Sequence, residues 1–462
     1  MEKYDVAVVG GGPGGYVAGL RAGQLGARTC VIEERELGGT CLNRGCIPTK
    51  SLLETARIFA EINKAGQFGI STQGARIDFA KAAERKDEVV GRLRRGVETL
   101  LKVAGVEVVT GRGTLLDANV VSVSGSEPQE ISASKIILAT GSRPARPGFF
   151  PFDDERILTS DEVLQWAELP ESMLIVGAGA VGVEFACMFA AFGIKVTLVE
   201  MMEQLLPGMD ADLAQELYRA LRRKRVAVQT GTKIEKLEVR SEGIAAEVSQ
   251  GETIEAHKAL ISVGRAPCSQ DLGLEAVGLK LQRGFIEIDE HLRTNIDNVY
   301  AIGDVTGKNL QAHLASRQGV VAAECALGEQ GKVNYDAVPA CVFTEPEIGT
   351  VGLTEAQAQE KGVEVKVGKF PFTALGKAQV LGETAGFIKI VGDGKSGQIL
   401  GVHIIGPRAT DLIAVGGLAV ELKASMQQLA ETVFAHPTIS EAVKEAAEDF
   451  LGRAIHLPQR KG

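Results

Sequence analysis

A chain of 462 residues is long enough for about three domains, each with its own hydrophobic core. Charged residues make up 24% of it and the set AVILMFWYC 45%, a globular composition that excludes a fibrous or largely disordered protein. The 50 Lys and Arg against 59 Asp and Glu leave a net charge of −9, and because no basic block is present, we expect no nucleic-acid partner.

Membrane and targeting segments are not expected either. No apolar run reaches the roughly 18 residues that a membrane span needs, and the run at 173–199 is interrupted by Glu184 and Lys195. A strand-like segment already begins at Tyr4, which leaves no room for a signal peptide before the fold. These features predict a cytoplasmic protein without a membrane partner.

The chain opens with a nucleotide-binding pattern. In VAVVGGGPGG an apolar strand precedes Gly10, Gly12 and Gly15, a helix-forming stretch extends to about Gly26, and a second strand ends at Glu33. The first glycine permits a tight turn, the second lets the backbone approach a pyrophosphate, and the third lets the helix pack against the strand. The acid then accepts a hydrogen bond from a ribose hydroxyl. This pattern predicts a dinucleotide site.

The same pattern recurs 167 residues later. LIVGAGAVG contains Gly177, Gly179 and Gly182, and the strand after the next helix ends at Glu200. The first glycine and the acid are 23 residues apart in both units. Strand, helix and acid in the expected places are more specific than three glycines alone, so we predict two dinucleotides. The alternative for either acid is a solvated residue that follows a strand.

Other segments provide further strands and helices. Alternating residues near 106–137 predict strands that lead to ATGSRP at 139–144, and the second unit extends to GRAP at 264–267. The apolar strand in 294–304 ends near Asp304, where the end of a parallel strand meets a ligand crevice. The predicted helices outside the two glycine patterns are 48–62, 79–103, 411–423, 426–433 and 438–453.

These elements predict an α/β protein with two Rossmann-like dinucleotide-binding domains and a C-terminal α+β domain. A proline-containing stretch after residue 143 crosses from the first domain to the second. The predicted limits are 1–145, 146–270, a central segment 271–338 that returns to the first domain, and 339–462.

The candidate reactive residues are two cysteines in GGTCLNRGCIPTK, residues 38–50. On a regular helix the Cα atoms of Cys41 and Cys46 would lie roughly 8.6 Å apart, beyond the ~7 Å limit for a disulfide. A bond between them must therefore distort the backbone, which Gly39 and Gly45 permit. A strained disulfide is easily reduced, as a catalytic one should be. The alternative is a pair of reduced packing cysteines.

The next helix is predicted to begin at Pro48, because proline is tolerated at the first helical position. Cys46 then lies just before the helix, whose dipole lowers a thiol pKa and favours the thiolate. Cys41 is expected to face outward. No metal site is predicted, since the segment contains no His or third Cys.

His436 is the candidate base. Thiol exchange near neutral pH needs a base whose pKa is close to 7, and in HPTISE the carboxylate of Glu441 is placed to fix the imidazole tautomer. Thr438 and Glu441 also fit a capping box ahead of a helix. Two roles for Glu441 therefore remain open.

Together these motifs resemble those of the dimeric pyridine nucleotide–disulfide oxidoreductases, and within that family those of the dihydrolipoamide dehydrogenases. The resemblance covers essentially the whole chain, and the motifs follow one another in the same order as in the family. It is carried by GGGPGG with Glu33, GGTCLNRGCIPTK, ATGSRP, GAGAVGVEF, TNIDNVYAIGD, PACVFTEPEIGTVG and HPTISEAVKEAA.

The resemblance implies FAD at the first glycine pattern and NAD at the second. It implies that Lys50 pairs with Glu184 beside the flavin, and that His436 and Glu441 reach the cysteines of a second subunit, so that 339–462 is a dimerisation domain. A lipoyl-bearing acyltransferase or carrier protein is the implied partner of the homodimer. The predicted cofactor-binding residues are Gly10, Gly12, Gly15, Glu33, Lys50, Thr140, Gly141, Gly177, Gly179, Gly182, Glu184, Glu200, Gly264 and Asp304.

The implied reaction is a relay from dihydrolipoamide to NAD. His436 takes a proton from the substrate, whose thiolate attacks Cys41 of the other chain, and the Cys46 thiolate then contacts the flavin, which passes a hydride to NAD. NAD is favoured over NADP because Glu200 would repel a 2′-phosphate and no Lys or Arg follows it before Arg219.

Three alternatives have different requirements. A glutathione-type reductase would need arginines after the second glycine pattern, and a mercuric reductase would need a C-terminal cysteine pair beyond Cys341. A non-catalytic flavoprotein docking subunit would need none of the predicted catalytic residues. The chain differs from the residues usual in the family at Cys268, at Gln427 and Gln428, and in FPFTALGKA. The sequence does not indicate which multienzyme complex the protein serves.

Overall fold

A computed structural model describes residues 2–458. The first segment alternates strands and helices. Its elements are β1 (Glu2–Val9), α1 (Pro13–Gln24), β2 (Thr29–Glu33), α2 (Gly39–Arg44), α3 (Cys46–Lys64), α4 (Phe79–Val103), β3 (Glu107–Thr110), β4 (Arg112–Leu115), β5 (Val120–Ser124), β6 (Gln129–Leu138) and β7 (Ser142–Pro144).

The second segment repeats the strand–helix–strand start of the first. Its elements are β8 (Ile157–Leu158), α5 (Ser160–Val163), β9 (Ser172–Val176), α6 (Ala180–Ala191), β10 (Lys195–Val199), α7 (Ala211–Arg223), β11 (Ala227–Gln229), β12 (Ile234–Arg240), β13 (Gly243–Val248), β14 (Thr253–Ala256), β15 (Lys258–Ile261) and β16 (Arg265–Pro267).

The rest of the chain returns to the first sheet and then forms the C-terminal domain. The returning elements are β17 (Leu281–Gln282), β18 (Phe285–Ile286), β19 (Val299–Ala301) and α8 (Ala312–Ala326). The C-terminal elements are β20 (Ala340–Val342), β21 (Glu347–Gly352), α9 (Glu355–Glu360), β22 (Val365–Pro371), α10 (Gly376–Leu381), β23 (Phe387–Asp393), β24 (Ile399–Gly406), α11 (Ala409–Glu421), α12 (Met426–Glu431) and α13 (Glu441–Phe450).

Each of the first two units is centred on a sheet of parallel strands, and in the first unit β5 and β4 extend that sheet by antiparallel pairing. The first has the order β3-β2-β1-β6-β5-β4, with β19 paired to the C-terminal end of β6, and the second has the order β11-β10-β9-β15-β8. In β1, Val6, Ala7 and Val8 are fully buried, as expected for a strand covered on both faces. Helix α8 packs on α1 so closely that a Cβ on Gly319 would lie 2.4 Å from the carbonyl oxygen of Gly14.

The C-terminal domain is an antiparallel sheet, β20-β21-β24-β23-β22, with α11 and α13 packed against it. Together with the sheets of the two Rossmann-like units, it confirms the predicted fold class. The helix predicted at 438–453 is shorter, because Thr438 and Ser440 form a hydrogen-bonded turn before Glu441. It ends before the left-handed Gly452, whose φ is 74°.

The two Rossmann-like units are joined directly to each other by β7 and β16, which pair antiparallel. The residues just before these two strands lie at the ends of β6 and β15, so this connection brings the ligand-binding ends of both parallel sheets together. Among residues 2–458, no helix is both long and apolar enough to cross a membrane.

Candidate active site

The two glycine loops have the same backbone geometry. Gly10 and Gly177 adopt left-handed conformations, with φ of 103° and 97°. A Cβ on Gly15 would lie 1.8 Å from the Gly10 carbonyl oxygen, and one on Gly182 would lie 1.9 Å from the Gly177 carbonyl oxygen. Only glycine therefore lets each helix approach its turn this closely.

The second glycine of each loop faces open space. The nearest atom to a Cβ on Gly12 would be the Gly39 Cα at 3.9 Å, and a Cβ on Gly179 would meet nothing within 4 Å. Both glycines precede the first turn of a helix and neither receives a side-chain cap, so the helix N-termini keep unpaired amides. Such a cradle fits the pyrophosphate of a dinucleotide.

Each predicted ribose-binding acid is fixed by backbone amides. Glu33 Oε2 accepts a hydrogen bond from the Gly11 amide at 2.6 Å, and Glu200 Oε2 accepts one from the Ala178 amide at 2.6 Å. Glu200 is only 7% exposed, and its Oε1 accepts from the Met202 amide at 2.9 Å. Neither acid is a freely solvated residue, and each keeps lone pairs for a ribose hydroxyl.

A cavity of about 870 Å³ lies between the first two units. Gly10, Gly12 and Glu33 line it together with both candidate cysteines. Further predicted site residues on its wall are Lys50, Thr140, Gly141, Glu184 and Asp304. Its volume falls within the range of ligand and cofactor sites.

Three buried polar atoms in this cavity have no hydrogen-bond partner in the described part of the chain. They are Thr140 Oγ1, Asp161 Oδ1 and Gln311 Oε1. Buried polar atoms are normally paired, so these atoms indicate a polar ligand. Together with the cradle at Gly12, they fit the FAD expected at the first glycine loop.

Asp304 lies in a 3-10 turn, Gly303–Thr306, directly after β19. It accepts a hydrogen bond from Ser142 Oγ, which in turn accepts one from Arg265 Nε at 2.7 Å. Ser142 and Arg265 were not singled out in the sequence. The signal that the sequence offers is that each directly follows a predicted site glycine, Gly141 or Gly264; both glycines have a left-handed φ, 71° and 121°.

The helix is interrupted between the two cysteines, in agreement with the expectation that their backbone departs from a regular helix. Helix α2 ends at Arg44, Gly45 has φ −143° and ψ −108°, and α3 begins at Cys46. The prediction that α3 begins at Pro48 was wrong by two residues. Because Gly45 breaks the backbone directly ahead of Cys46, Cys46 is the first residue of α3 and Pro48 the third.

The two thiols are not equivalent. Cys41 donates a hydrogen bond to Cys46, which raises the pKa of Cys41 and lowers that of Cys46. Burial opposes the thiolate at Cys46, but Lys50 and the helix amide favour it. The reduced pair therefore carries its negative charge on Cys46.

Lys50 connects this pair to the rest of the molecule. Its Nζ lies 2.8 Å from Glu184 Oε2 and 4.5 Å from the ring centroid of Phe343. Glu184 also accepts a hydrogen bond from the Phe343 amide at 3.0 Å and is 4% exposed. The ion pair therefore joins α3 and α6 to the C-terminal domain.

His436 and Glu441 form a separate pair on the C-terminal domain. His436 Nδ1 lies 2.8 Å from Glu441 Oε1, and Glu441 Oε2 accepts from the Thr438 amide at 2.9 Å. Burial opposes ionisation of Glu441, but the Thr438 amide and His436 outweigh it and lower its pKa. The predicted capping box is not formed, because α13 begins at Glu441 and its N-cap residue, Ser440, makes no side-chain capping hydrogen bond. Glu441 instead contacts His436 through one oxygen and the Thr438 amide of the preceding turn through the other.

This pair does not reach the cysteines of its own chain. The His436 side chain is 78% exposed and does not line the cavity that contains Cys41 and Cys46. A site that unites the base with the cysteines therefore needs a second copy of the chain.

Among residues 2–458, no group of three His, Cys, Asp or Glu side chains is arranged to hold a metal ion.

Comparisons with known proteins agree with this geometry. Residues 4–319 match the family model described as pyridine nucleotide-disulphide oxidoreductase, and residues 338–447 match the dimerisation domain of the same family. Proteins named dihydrolipoyl dehydrogenase from Bacillus subtilis and Geobacillus stearothermophilus are each 42% identical to this chain. The first alignment covers 98% of this chain and 99% of the relative, and the second covers 98% of both.

Solved structures show the same architecture. LpdA from Mycobacterium tuberculosis matches with a TM-score of 0.90 and 28% identity, over 97% of this chain and 99% of that one. The HOCl-induced flavoprotein disulfide reductase RclA from Escherichia coli, in a Cu(II) complex, matches with a TM-score of 0.88 and 29% identity, over 97% and 99% of the two chains. The C-terminal part is a dimerisation domain, and the protein is a homodimer. The chain belongs to the pyridine nucleotide–disulphide oxidoreductase family and, within it, to the dihydrolipoyl dehydrogenases, which use FAD and NAD(H).

Proposed function

We propose that this chain oxidises protein-bound dihydrolipoyl groups to lipoyl groups and reduces NAD to NADH. The observation that carries the proposal is the unequal cysteine pair at the wall of the cavity that the first glycine loop lines. Relatives named dihydrolipoyl dehydrogenase, at 42% identity, support the choice of substrate. The partner is a lipoyl-bearing acyltransferase or carrier protein.

The domain roles follow from the two glycine loops. In this proposal, 1–145 and the returning segment 271–338 hold FAD, 146–270 binds NAD, and 339–462 forms the dimer. The terminal residues of the first and last segments lie outside the described range of 2–458. FAD, when bound, supplies a two-electron acceptor between the dithiol and NAD.

The cofactor-binding residues fall into two sets. Around FAD they are Gly10, Gly12, Gly15, Glu33, Lys50, Thr140, Gly141, Glu184 and Asp304. Around NAD they are Gly177, Gly179, Gly182, Glu200 and Gly264. The open space at Gly12 and at Gly179 supports the two pyrophosphate positions. The three unpartnered polar atoms line the cavity at Gly12 and therefore support FAD but say nothing of NAD.

The base acts from the second subunit. In the proposed first step, His436 Nε2 accepts a proton from one substrate thiol, while Glu441 keeps the proton on Nδ1. The substrate thiolate attacks Cys41 Sγ of the oxidised pair, a new S–S bond forms, and Cys46 leaves as a thiolate. A thiol with a lowered pKa is the better leaving group.

The second step completes the exchange. The other substrate sulfur attacks the substrate sulfur of the mixed disulfide, and its proton passes to the released Cys41, so that the substrate leaves as a disulfide. The substrate has lost two electrons and two protons: the Cys41–Cys46 pair holds the two electrons, one proton is on His436 and the other is on Cys41. Lys50, held by Glu184, balances the charge of the Cys46 thiolate.

A cytoplasmic location belongs to the same proposal. All seven cysteines are free in this structure, so the described part of the chain contains no structural disulfide. Proteins without structural disulfides are typical of reducing compartments.

An anaerobic titration of the FAD-loaded protein tests the proposed function. Addition of dihydrolipoamide is expected to bleach the flavin band partly and to produce a long-wavelength thiolate-to-flavin band, and NAD is expected to reverse both. Oxidised glutathione and Hg²⁺, offered with NADH or NADPH, are the control acceptors. A spectrum that dihydrolipoamide leaves unchanged, while NADH reduces the flavin, would contradict the proposed substrate.

A further inference from the structure

Helix α7, which follows the second glycine-loop unit's acid, begins at a buried charge cluster. Lys389 Nζ of β23 lies 3.0 Å from Asp210 Oδ2, 3.1 Å from Asp212 Oδ2 and 2.8 Å from Glu355 Oε2. We call these four residues the Lys389 cluster. The side chains of Lys389 and Asp210 are 4% and 3% exposed, so this pair is shielded from solvent. The cluster joins the NAD unit to the dimerisation domain.

The other end of α7 contacts the same domain through a more exposed pair. Lys224, the residue that follows the helix, lies 2.6 Å from Glu345 Oε2, and Lys64 lies 2.9 Å from Glu345 Oε1. The side chains of Lys224 and Glu345 are 23% and 43% exposed. The helix is therefore held at both ends, but only its N-terminal end follows directly from the predicted NAD loop.

The segment between Glu200 and α7 is connected to the glycine loop by hydrogen bonds. The Leu206 amide donates to the Ala178 carbonyl at 2.9 Å, and the Ala178 amide donates to Glu200 Oε2 at 2.6 Å. The Met209 amide donates to the Leu206 carbonyl at 3.0 Å. Continuous contacts therefore lead from the glycine loop to the residue before Asp210.

This segment has a backbone conformation that needs support. Leu206 has a φ of 49°, in the left-handed region that a leucine rarely adopts. Such strain persists only where the surroundings determine the conformation. Glu200 and Ala178 hold the first end of the segment, and Asp210, which also caps α7 through the Asp212 amide at 3.1 Å, holds the second.

We propose that Lys389 is a positioning residue for NAD. By holding Asp210, it keeps segment 200–210 in the shape in which Glu200 and the second glycine loop bind the adenosine half of NAD. The dimerisation domain thus shapes a dinucleotide site whose glycine loop and acid belong to another unit. This inference rests on the proposed function, which assigns NAD to the second glycine loop.

The Lys389→Met variant of the FAD-loaded dimer tests the proposal. The KM for NAD is expected to rise at least about tenfold, because a displacement of about 1 Å in a binding loop has effects of this size or larger. Flavin reduction by dihydrolipoamide, measured anaerobically without NAD, is expected to keep its rate. A merely structural role would not separate these two readouts.

Lys224→Met is the matched control, because it removes the same residue type at the other end of α7. Its KM for NAD is expected to stay within about twofold of the parent value, as for partly exposed ion pairs. Lys389→Arg keeps the buried charge and is expected to retain most of the NAD affinity.

Buried charge removal can prevent folding, so a second variant covers that case. Asp210→Asn with Lys389→Met removes both charges, leaves no buried charge unpaired, and keeps a capping residue before α7. An unchanged KM for NAD in whichever variant forms the FAD-loaded dimer overturns the proposal, and so does an equal loss in both readouts. If the parent protein itself fails to reduce NAD, the proposed function falls instead.

Discussion

The two glycine-loop units share a backbone but differ in what surrounds it. In the first unit, Gly12 faces a cavity of about 870 Å³ whose walls also come from α3, from the segment after β6 and from the second unit. In the second unit, Gly179 does not line this cavity, and among residues 2–458 no atom lies within 4 Å of where a Cβ on Gly179 would be. The nucleotide-binding pattern therefore determines the turn, the helix and the acid, while distant residues determine whether the ligand is enclosed.

This difference matches the two proposed ligands. An enclosed site with unpartnered polar atoms suits a cofactor that stays bound, whereas an open loop suits a dinucleotide that enters and leaves in every turnover. The means of support differ as well. The first loop is supported by close packing of α8 on α1, and the second by ionic contacts from the dimerisation domain.

The largest effect is expected from a substitution that removes a reactive thiol from the first glycine-loop unit, whose ligand site is enclosed. Cys46→Ser should lose at least about 10⁴-fold of dihydrolipoamide turnover, because the variant cannot form the disulfide that the substrate thiolate attacks. FAD should stay bound, and NADH should still reduce it from the second glycine-loop unit, which we call the open unit. Cys268→Ser, which changes another cysteine on the same cavity wall, is the control and should remain active. Turnover retained by Cys46→Ser would sink the dithiol mechanism.

The second largest effect is expected from a change at His436, which should slow flavin reduction by dihydrolipoamide but not flavin reduction by NADH. His436→Gln should slow flavin reduction by dihydrolipoamide by at least about 10²-fold, in the range for removal of a general base. Flavin reduction by NADH, which uses the open unit, should be unchanged in stopped-flow measurements.

His456→Gln provides a matched control, since His456 also pairs with a glutamate, Glu445, at 3.0 Å in the same domain. That variant should keep both rates. Near-normal reduction of His436→Gln by dihydrolipoamide would place the base elsewhere and leave Glu441 only as a partner of the Thr438 amide.

A pair of alanine substitutions addresses the two cradles directly. Gly179→Ala has room for its methyl group and should fold, but it should raise the KM for NAD about tenfold by blocking the backbone's approach to the pyrophosphate. Gly12→Ala should instead lower the FAD content, read from the ratio of flavin to protein absorbance.

Gly96→Ala, in the middle of α4 with nothing within 4 Å, is the control and should change neither quantity. If Gly179→Ala lowered the FAD content and left the KM for NAD unchanged, the assignment of the two loops would have to be exchanged.

Local patterns predicted much of the fold. The helix at 79–103 has the predicted bounds, because Asp78 caps it and its apolar face has a helical period. The strands predicted to end at Glu33 and Glu200 are likewise present, since β2 ends at Glu33 and β10 ends one residue before Glu200. Local rules were less decisive at α3, where the rule for Pro48 was outweighed by the break that Gly45 permits one residue before Cys46.

Contacts between distant residues could not be read from spacing. Lys389 and Asp210 are separated by 179 residues, and neither stands in a motif that the sequence singled out. Lys50 and Glu184 were paired only through the family resemblance, since nothing local to either indicates the other. At Glu441 spacing suggested a capping box as one of two roles, but α13 begins at Glu441 itself, so the carboxylate contacts His436 and the Thr438 amide without capping the helix.

The smallest expected effect concerns the far end of α7. Burial opposes ionisation of Glu345, but Lys224 and Lys64 lower its pKa to about 2, below the roughly 4.3 of an unfolded chain. A carboxyl group whose pKa is depressed on folding stabilises the protein above the unfolded value, and this contribution is lost as the pH falls towards 2. Because Glu345 is 43% exposed, solvent screening keeps the contribution small.

Glu345→Gln should therefore lower the apparent Tm at pH 7 by only about 1–3 °C, and the difference from the parent should shrink between about pH 4.5 and 2. Glu364→Gln, which removes a more exposed pair with Lys395, is the control and should not shift the Tm. The KM for NAD should be unchanged in Glu345→Gln, because this pair lies at the end of α7 away from the NAD loop. A rise as large as that expected for Lys389→Met would mean that α7 transmits strain along its whole length, and that the open unit is supported as a rigid body rather than at one loop.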